Sequence, residues 1–367
     1  MDFALTWEQR QLRDTAREFL DKHYPPERVA ELADSPAGWD PEVWPRLAEL
    51  GWLSPDLDAV GQAIVAEAGG YGLFPGPWWS TVGLAGDALR AGAAAGVAPG
   101  AGTGAGTGAG TGAGTGVTPT TLALGEAGAS PACRAEPIAG GFRVYGTPPR
   151  VPDATVSESL IVPAGTPEGM VLLVVDLPAP GCTVRPLPTW DGTRRLADVE
   201  LTGAPARPLV PAAGTGRVLA MAHRRGLVLL AAEAVGVAER ALAFAVEHAK
   251  RRTQFGTPIG AFQAVAHPLA DTYAGIELAR SLALRAAWCL AEDDPDAGEA
   301  ALVATVSARQ AALRATEGAI QVLGGVGFAW EHPIHRWYKR ARWQHAYAGT
   351  PRTHRAALAA MLLDRPA

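Results

Sequence analysis

The stretch A-K-R-R-T-Q-F-G-T-P-I-G-A-F-Q-A-V-A-H-P-L-A-D, residues 249–271, closes one long helical pattern and opens another. Upstream of it, residues 217–251 run without proline, with Gly226 and Gly236 as the interruptions. That run ends in Lys250, Arg251 and Arg252, cations suited to the negative end of a helix dipole. Gly256, Pro258 and Gly260 then turn the chain, and the next helix is read over 260–292. Further helices are read over 297–323, 333–347 and 352–363, with the turn E-D-D-P-D-A-G at 292–298. The C-terminal part, 213–367, therefore reads as a helical bundle.

Working outward, residues 1–92 are also helical: Leu5, Leu12, Ala16, Phe19 and Leu20 recur at helix spacing, as do Trp44, Leu47, Leu50 and Leu53. Between these regions, residues 119–212 carry short β-type runs separated by Gly and Pro. The runs are Thr121–Leu124, Gly141–Tyr145, Ser159–Val162, Met170–Val175, Cys182–Pro186 and Leu196–Leu201. This texture predicts a small antiparallel barrel or sandwich. Residues 93–118 are almost wholly Ala, Gly, Thr and Pro, and A-G-T-G occurs four times over 101–116. With no large side chain to bury, the segment cannot offset the entropy of ordering and reads as a flexible linker.

The 367 residues carry 32 Lys+Arg against 37 Asp+Glu, a formal net charge of −5. That balance argues against a general nucleic-acid binder, which needs a basic surface to displace counterions. Cys133, Cys182 and Cys289 lack metal-site spacing, and His332 and His335 lack the Glu of a zinc helix, so no metal is expected. The first twenty residues read as a helix start, not a signal peptide. The apolar stretch near Gly226–Gly236 contains Glu233 and is too short to span a bilayer. A cytoplasmic protein without a membrane segment is the expectation.

A second segment bears on function: Q-V-L-G-G-V-G-F-A-W-E-H-P-I-H-R-W-Y-K-R-A-R-W, residues 321–343. Its glycines allow backbone N–H groups to approach a ligand, although neither the spacing nor a preceding strand supports a Rossmann reading. Taken alone, a tight helix break explains the glycines; for Arg252 two readings stay open, a cation closing a helix end or a guanidinium that binds an anionic group with the Phe255 ring as an aromatic surface beside it.

Together, R-T-Q-F-G-T-P-I-G-A-F-Q and Q-V-L-G-G-V-G-F resemble the two signatures of the acyl-CoA dehydrogenase family. A-A-E-A-V-G-V-A-E-R-A-L (231–242) is similar to the helix leading into the first, and T-W-E-Q-R-Q-L-R-D-T-A-R-E-F-L resembles the family's first helix. The resemblance implies an α+β, mostly α fold: an N-terminal helical domain, a central small β-barrel and a C-terminal four-helix bundle. It also implies FAD, shared across a subunit interface, and an acyl-CoA or other acyl thioester as substrate. By the resemblance, Arg252, Gln254 and Phe255 contact the flavin's pyrophosphate across the interface, and Gln263 reaches its adenosine end. Gln321 and Gly325 lie beside the neighbour's pyrophosphate and ribose, and Thr350 binds FAD in its own subunit.

The sequence departs from the family at the base. The catalytic Glu of the family string Y-E-G-T aligns with Ala348 in Tyr347-Ala348-Gly349-Thr350, so no catalytic residue is assigned. An alternative base position falls near Gly226, flanked by Arg224 and Arg225. Glu233, His345 and Glu331 are the remaining acids and bases near these positions, and each has a structural explanation. The flavin-gripping loop is reduced to Gly125–Ser130, and Arg150 stands at its aromatic position.

These losses fall on a protomer's own site, while the residues serving its neighbour remain. The first expectation is thus a non-catalytic subunit of a hetero-oligomeric acyl-CoA dehydrogenase, acting with a second, base-bearing chain of the same family. The W-E-H-P-I-H stretch resembles actinobacterial members of this kind, which points toward fatty acid or steroid metabolism. A self-sufficient homodimeric or homotetrameric flavoenzyme of altered chemistry is the alternative, and a flavin-free scaffold is a third.

Overall fold

A computed structural model describes residues 4–96, 117–124 and 131–363. Most of the linker segment and the Gly125–Ser130 loop lie outside the described residues. The chain divides into two compact units. One comprises residues 1–31, 58–74 and 227–367, and the other residues 32–57 and 75–226.

The first unit is helical. It contains α1 (Trp7–His23), α4 (Ala59–Tyr71), the greater part of α6 (Ala212–Arg251), α7 (Gln263–Ala291), α8 (Ala297–Leu323), the single turn α9 (Gly325–Phe328), α10 (Ile334–Ala346) and α11 (Pro351–Leu363); between α1 and α4 in the sequence come α2 (Pro26–Asp34) and α3 (Trp44–Glu49). Thr6 caps α1, accepting from the Gln9 backbone N–H while the Gln9 side chain accepts from Thr6 N–H, so two otherwise unpaired donors are satisfied. Helices α6, α7, α8 and α10 form the four-helix bundle. Its packing surface is largely alanine: on α8, Ala297, Ala300, Ala301, Ala304, Ala308, Ala312, Ala315 and Ala319 are all buried at three- and four-residue spacing. Such small side chains let the helices approach closely, and larger buried groups fill the gaps.

The closest approach is between α4 and α6, where backbone meets backbone. A Cβ on Gly236 would lie 1.9 Å from the Glu67 carbonyl oxygen, and one on Gly70 would lie 2.0 Å from that of Glu233. The two glycines, one per helix, are therefore required by the crossing. Around it sits an ion-pair network in which Arg17 donates to both oxygens of Glu239, and Arg280 bonds Glu67 at 3.0 Å and Glu239 at 2.9 Å. Burial raises the Glu67 carboxyl above its ordinary range, opposed by the Arg280 charge.

The second unit holds the β-structure. β2 (Cys133–Ile138), β3 (Gly141–Gly146), β5 (Ser159–Thr166), β6 (Gly169–Asp176) and β8 (Leu196–Val210) pair in a ring: β2 with β3, β3 with β8, β8 with β6, β6 with β5, and β5 back to β2. The ring is a closed barrel. β1 (Thr120–Leu122) and β4 (Val151–Pro152) flank it, and β7 (Cys182–Leu187) lies along β8. Alternating side chains fill its interior, among them Val144, Leu160, Val162, Leu173, Val175, Val199 and Leu201.

The barrel differs from the sequence expectation in two ways. β1 and β2 both pair with β5 in parallel, so the barrel is mixed and not purely antiparallel. β8 runs nine residues beyond Leu201 because its second half changes partner, to β6. The same unit contains a wholly buried π-helical segment, Trp79–Ala85, before α5 (Gly86–Ala94). Its Trp79 Nε1 donates to the Gly226 carbonyl at 3.1 Å, and Ser80 Oγ to Asp153 Oδ2 at 2.7 Å.

Candidate functional site

The cofactor-facing residues named from sequence fall into separate groups within the helical unit. The first is the turn between α6 and α7. β9 (Thr253–Gln254) and β10 (Thr257–Pro258) pair as a two-residue ladder, closed by Ile259 N–H donating to Arg252 O at 2.8 Å. Phe255 takes φ +53° and Gly256 φ +79° at its tip, so the left-handed turn thrusts the Phe255 ring outward, where it is 94% exposed. Its edge meets Phe262 with centroids 6.3 Å apart. Arg252 and Gln254 are exposed here, and Gln263 is exposed at the first position of α7.

Arg251 and Arg252 are adjacent but differ in use. Arg251 pairs with Glu247 one turn back, whereas Arg252 has no acidic partner among the described residues. A free guanidinium beside exposed amides and an aromatic face is a donor set for a phosphate-bearing ligand.

The second group closes α8. Gln321 is exposed on its last turn, Gly324 turns the chain at φ +63°, and Gly325 starts α9. A Cβ on Gly325 would meet nothing within 4 Å, so its backbone is open to approach. Phe328 and Trp330 follow, 81% and 67% exposed, and Trp330 stacks on His335 at 4.4 Å. These two exposed aromatics did not stand out in sequence, although F-A-W directly after a glycine turn was the available signal.

The third group is the loop Tyr347–Thr350. Thr350 is exposed and caps α11, its Oγ1 accepting from Thr353 N–H at 3.2 Å. Ala348 has φ +55°, a left-handed conformation costly for a residue with a Cβ. The loop is fixed by its carbonyls: Ala348 O lies 2.9 Å from His354 Nε2, and Gly349 O accepts from Arg309 Nη1 at 2.9 Å. Replacing Ala348 with Gly should relieve the backbone at a gain of about 0.5–1 kcal/mol. With unfolding entropy of about 2 cal/mol/K per residue, that is a rise of about one degree in melting temperature, readable by calorimetry.

None of the groups near the expected base positions offers a ready base. The Glu233 carboxylate is buried and bound by the buried Arg340 guanidinium. Glu331 is exposed on the loop before α10. His345 is half-buried, and burial, then the charges of Arg342, Arg309 and Arg355, lower its basicity. In the barrel-containing unit, a Cβ on Gly226 would lie 2.7 Å from Leu84 Cδ2, so a side chain there requires Leu84 to move. Arg225 is held by Asp87 at 3.0 Å. Arg150 is exposed at φ +53°, its backbone N–H donating to Asp198 Oδ1, which is a turn role.

Helical unit, closed barrel and two glycine-bearing signatures define a class. The acyl-CoA dehydrogenase C-terminal domain profile matches residues 217–363, and the N-terminal domain profile matches residues 6–116. The chain belongs to the acyl-CoA dehydrogenase family. It is 30% identical over 359 residues to acyl-CoA dehydrogenase FadE27 of Mycobacterium tuberculosis, covering 93% of each chain. Among solved structures it resembles the ChsE4–ChsE5 complex of Mycobacterium tuberculosis, at 30% identity and TM-score 0.85, covering 100% of each chain. It also resembles the Tcur3481–Tcur3483 steroid ACAD, at 30% identity and TM-score 0.82, covering 97% of this chain and 98% of that one. Members of the family use FAD. Arg252, without an acidic partner among the described residues, the exposed amides of Gln254, Gln263 and Gln321 and the open backbone at Gly325 are donors of the chemistry that a diphosphate accepts. Among the described residues no helix is long and apolar enough to cross a membrane, and no cluster of His, Cys, Asp and Glu is placed to hold a metal ion.

Proposed function

We propose that this chain is the base-less subunit of a hetero-oligomeric, cytoplasmic acyl-CoA dehydrogenase, completing the FAD site of a second, base-bearing chain of the same family. The observation that carries this reading is a contrast within one unit: Ala348 stands at the base position, while Arg252, Gln254, Phe255, Gln263, Gln321 and Gly325 are exposed. A subunit kept for its neighbour's cofactor needs the second set and not the first. The likeness to the ChsE4–ChsE5 complex and to the Tcur3481–Tcur3483 steroid ACAD supports a two-chain assembly, and the latter supports a steroid acyl thioester as substrate.

In this reading FAD, when bound, accepts the hydride from the β-carbon of the acyl group. The partner's carboxylate removes the α-proton. This chain's residues would bind and orient that cofactor: Arg252 would hold the diphosphate through its guanidinium, Gln321 and the Gly325 N–H would serve as further donors, and Phe255 would shield the site from water. Thr350 serves the loop that carries the family's base in other chains.

Arg252→Ala is the direct test. Co-expressed with its partner, the variant complex should retain full helical content by circular dichroism yet lose FAD, at least tenfold in affinity, since a charge-assisted bond to phosphate is worth about 1.5–3 kcal/mol. Unchanged flavin stoichiometry would overturn the assignment of Arg252. Failure of the chain to form a complex with any dehydrogenase-like gene neighbour would overturn the hetero-oligomer.

A further inference from the structure

The bundle holds a charge that the proposed function does not use. Arg309, at the middle of α8, is fully buried, with no exposed surface. One of its nitrogens is satisfied, Nη1 donating to the Gly349 carbonyl at 2.9 Å. Among the described residues, Nε and Nη2, both buried, have no hydrogen-bond partner, and no Asp or Glu lies within ion-pair distance. The other fully buried arginine of the bundle, Arg340, is bound to Glu233. Arg309 is thus a buried cation without a counter-charge. Burial pushes it down to about 10, which leaves it charged at neutral pH.

The identity of the two unused donors says what is missing. Nε–H and Nη2–H point the same way from one edge of the planar guanidinium, the pair that binds the two oxygens of a carboxylate side by side. The α8 neighbours do not supply such an acceptor. The Thr305 and Thr316 hydroxyls, buried on the same helix face, each donate to a backbone carbonyl one turn back, at 2.7 and 2.8 Å. The rest of that face is alanine, with Leu323 at its end. On the adjoining α10, Gln344 is also fully buried, and both its Oε1 and its Nε2 lack a partner. It precedes His345, which lies within reach of the Arg309 charge. Among the described arginines with a buried, unpartnered nitrogen, Arg309 is the one with two, and leaving such groups bare costs several kcal/mol in general, which points to an acceptor held on that edge.

We propose that Arg309 is the receptor of a small carboxylate, held bidentate on Nε and Nη2 beneath the Tyr347–Thr350 loop. The seat is distinct from the exposed diphosphate-binding groups and does not depend on their assignment.

The test uses the purified full-length chain in carboxylate-free buffer, titrated with sodium formate or sodium acetate, with sodium chloride at matched ionic strength as the other arm. Wild type should show a saturable rise in melting temperature with formate or acetate beyond that with chloride. Arg309→Met should melt above wild type in carboxylate-free buffer, because the bare charge is gone, and should lose the carboxylate response. Arg309→Lys keeps the charge but not the fork, and its half-saturation should shift at least tenfold upward, which keeps the proposal testable should the Met variant fail to fold. A wild type indifferent to carboxylate overturns the proposal. So does an equal response to chloride, an undiminished response in Arg309→Met, or wild-type affinity in Arg309→Lys.

Discussion

Purified without a partner, the chain is expected to oxidise acyl-CoA thioesters at least about 10²–10⁴-fold more slowly than base-bearing relatives, the loss that follows removal of a general base. Ala348 carries no proton acceptor, the Glu233 carboxylate is bound by Arg340, and Glu331 is exposed on the loop before α10. Gly226, the other position at which a base is expected, has Leu84 where a side chain would begin. His345 remains, but the positive groups around it weaken it as a base. The measurement is dye reduction by homogeneous chain over a range of acyl chain lengths. Rates ordinary for the family would sink the reading. A rate with one ionisation near or below the usual histidine range, removed by His345→Gln, would move the base to His345. Ala348→Glu is not expected to restore ordinary rates by itself, because a carboxylate there inherits the left-handed backbone and the neighbouring Arg309 charge.

Much of the helical unit was legible because its signals are local. The bounds of α8 agree with the reading of 297–323, since the Asp-Pro turn before it and the Gly324-Gly325 pair after it both stop helices. The turn holding Arg252 and Phe255 was legible for the same reason: Gly256 and Pro258 permit little else. The barrel was harder. β2 contains Pro137 and alternating charges, which hide a strand in the local pattern, and T-G-A-P-A-R-P resembles a turn that would end β8 at Leu201. It stays extended because two different strands pair with its two halves, a tertiary fact that overrides local propensity. Arg309 was invisible for a different reason. It lies at helix spacing from Thr305, Ala312 and Thr316, on the buried face, and an arginine in such a register is ordinarily read as solvated. The register itself was the available signal.

The largest stability effect is expected at Arg340. Its guanidinium and the Glu233 carboxylate are both buried, joining α10 to α6 close to the crossing where Gly70 rests on the Glu233 backbone. Arg340→Met removes the cation and leaves the carboxylate in a medium that cannot solvate it, a cost of about 3–5 kcal/mol. The cost appears in urea unfolding as a lower midpoint with an unchanged slope. Part of it returns at low pH, because protonating Glu233 removes the bare charge; a carboxyl raised by burial in the variant reaches its neutral form at higher pH than in the unfolded chain. The variant should therefore lose less, relative to wild type, as pH falls through the ordinary carboxylate range. The double variant Glu233→Leu with Arg340→Met separates charge from shape. It should recover most of the loss, since a buried pair replaced by apolar groups of similar volume is close to neutral or stabilising. If Arg340→Met costs less than about 1 kcal/mol, the pair is solvated and the bundle is looser there than its alanine seams imply. If the double variant is no better than the single, the two side chains act as volume and not as charge, and the packing of α10 on α6 rests on the shape of the Arg340 stem alone.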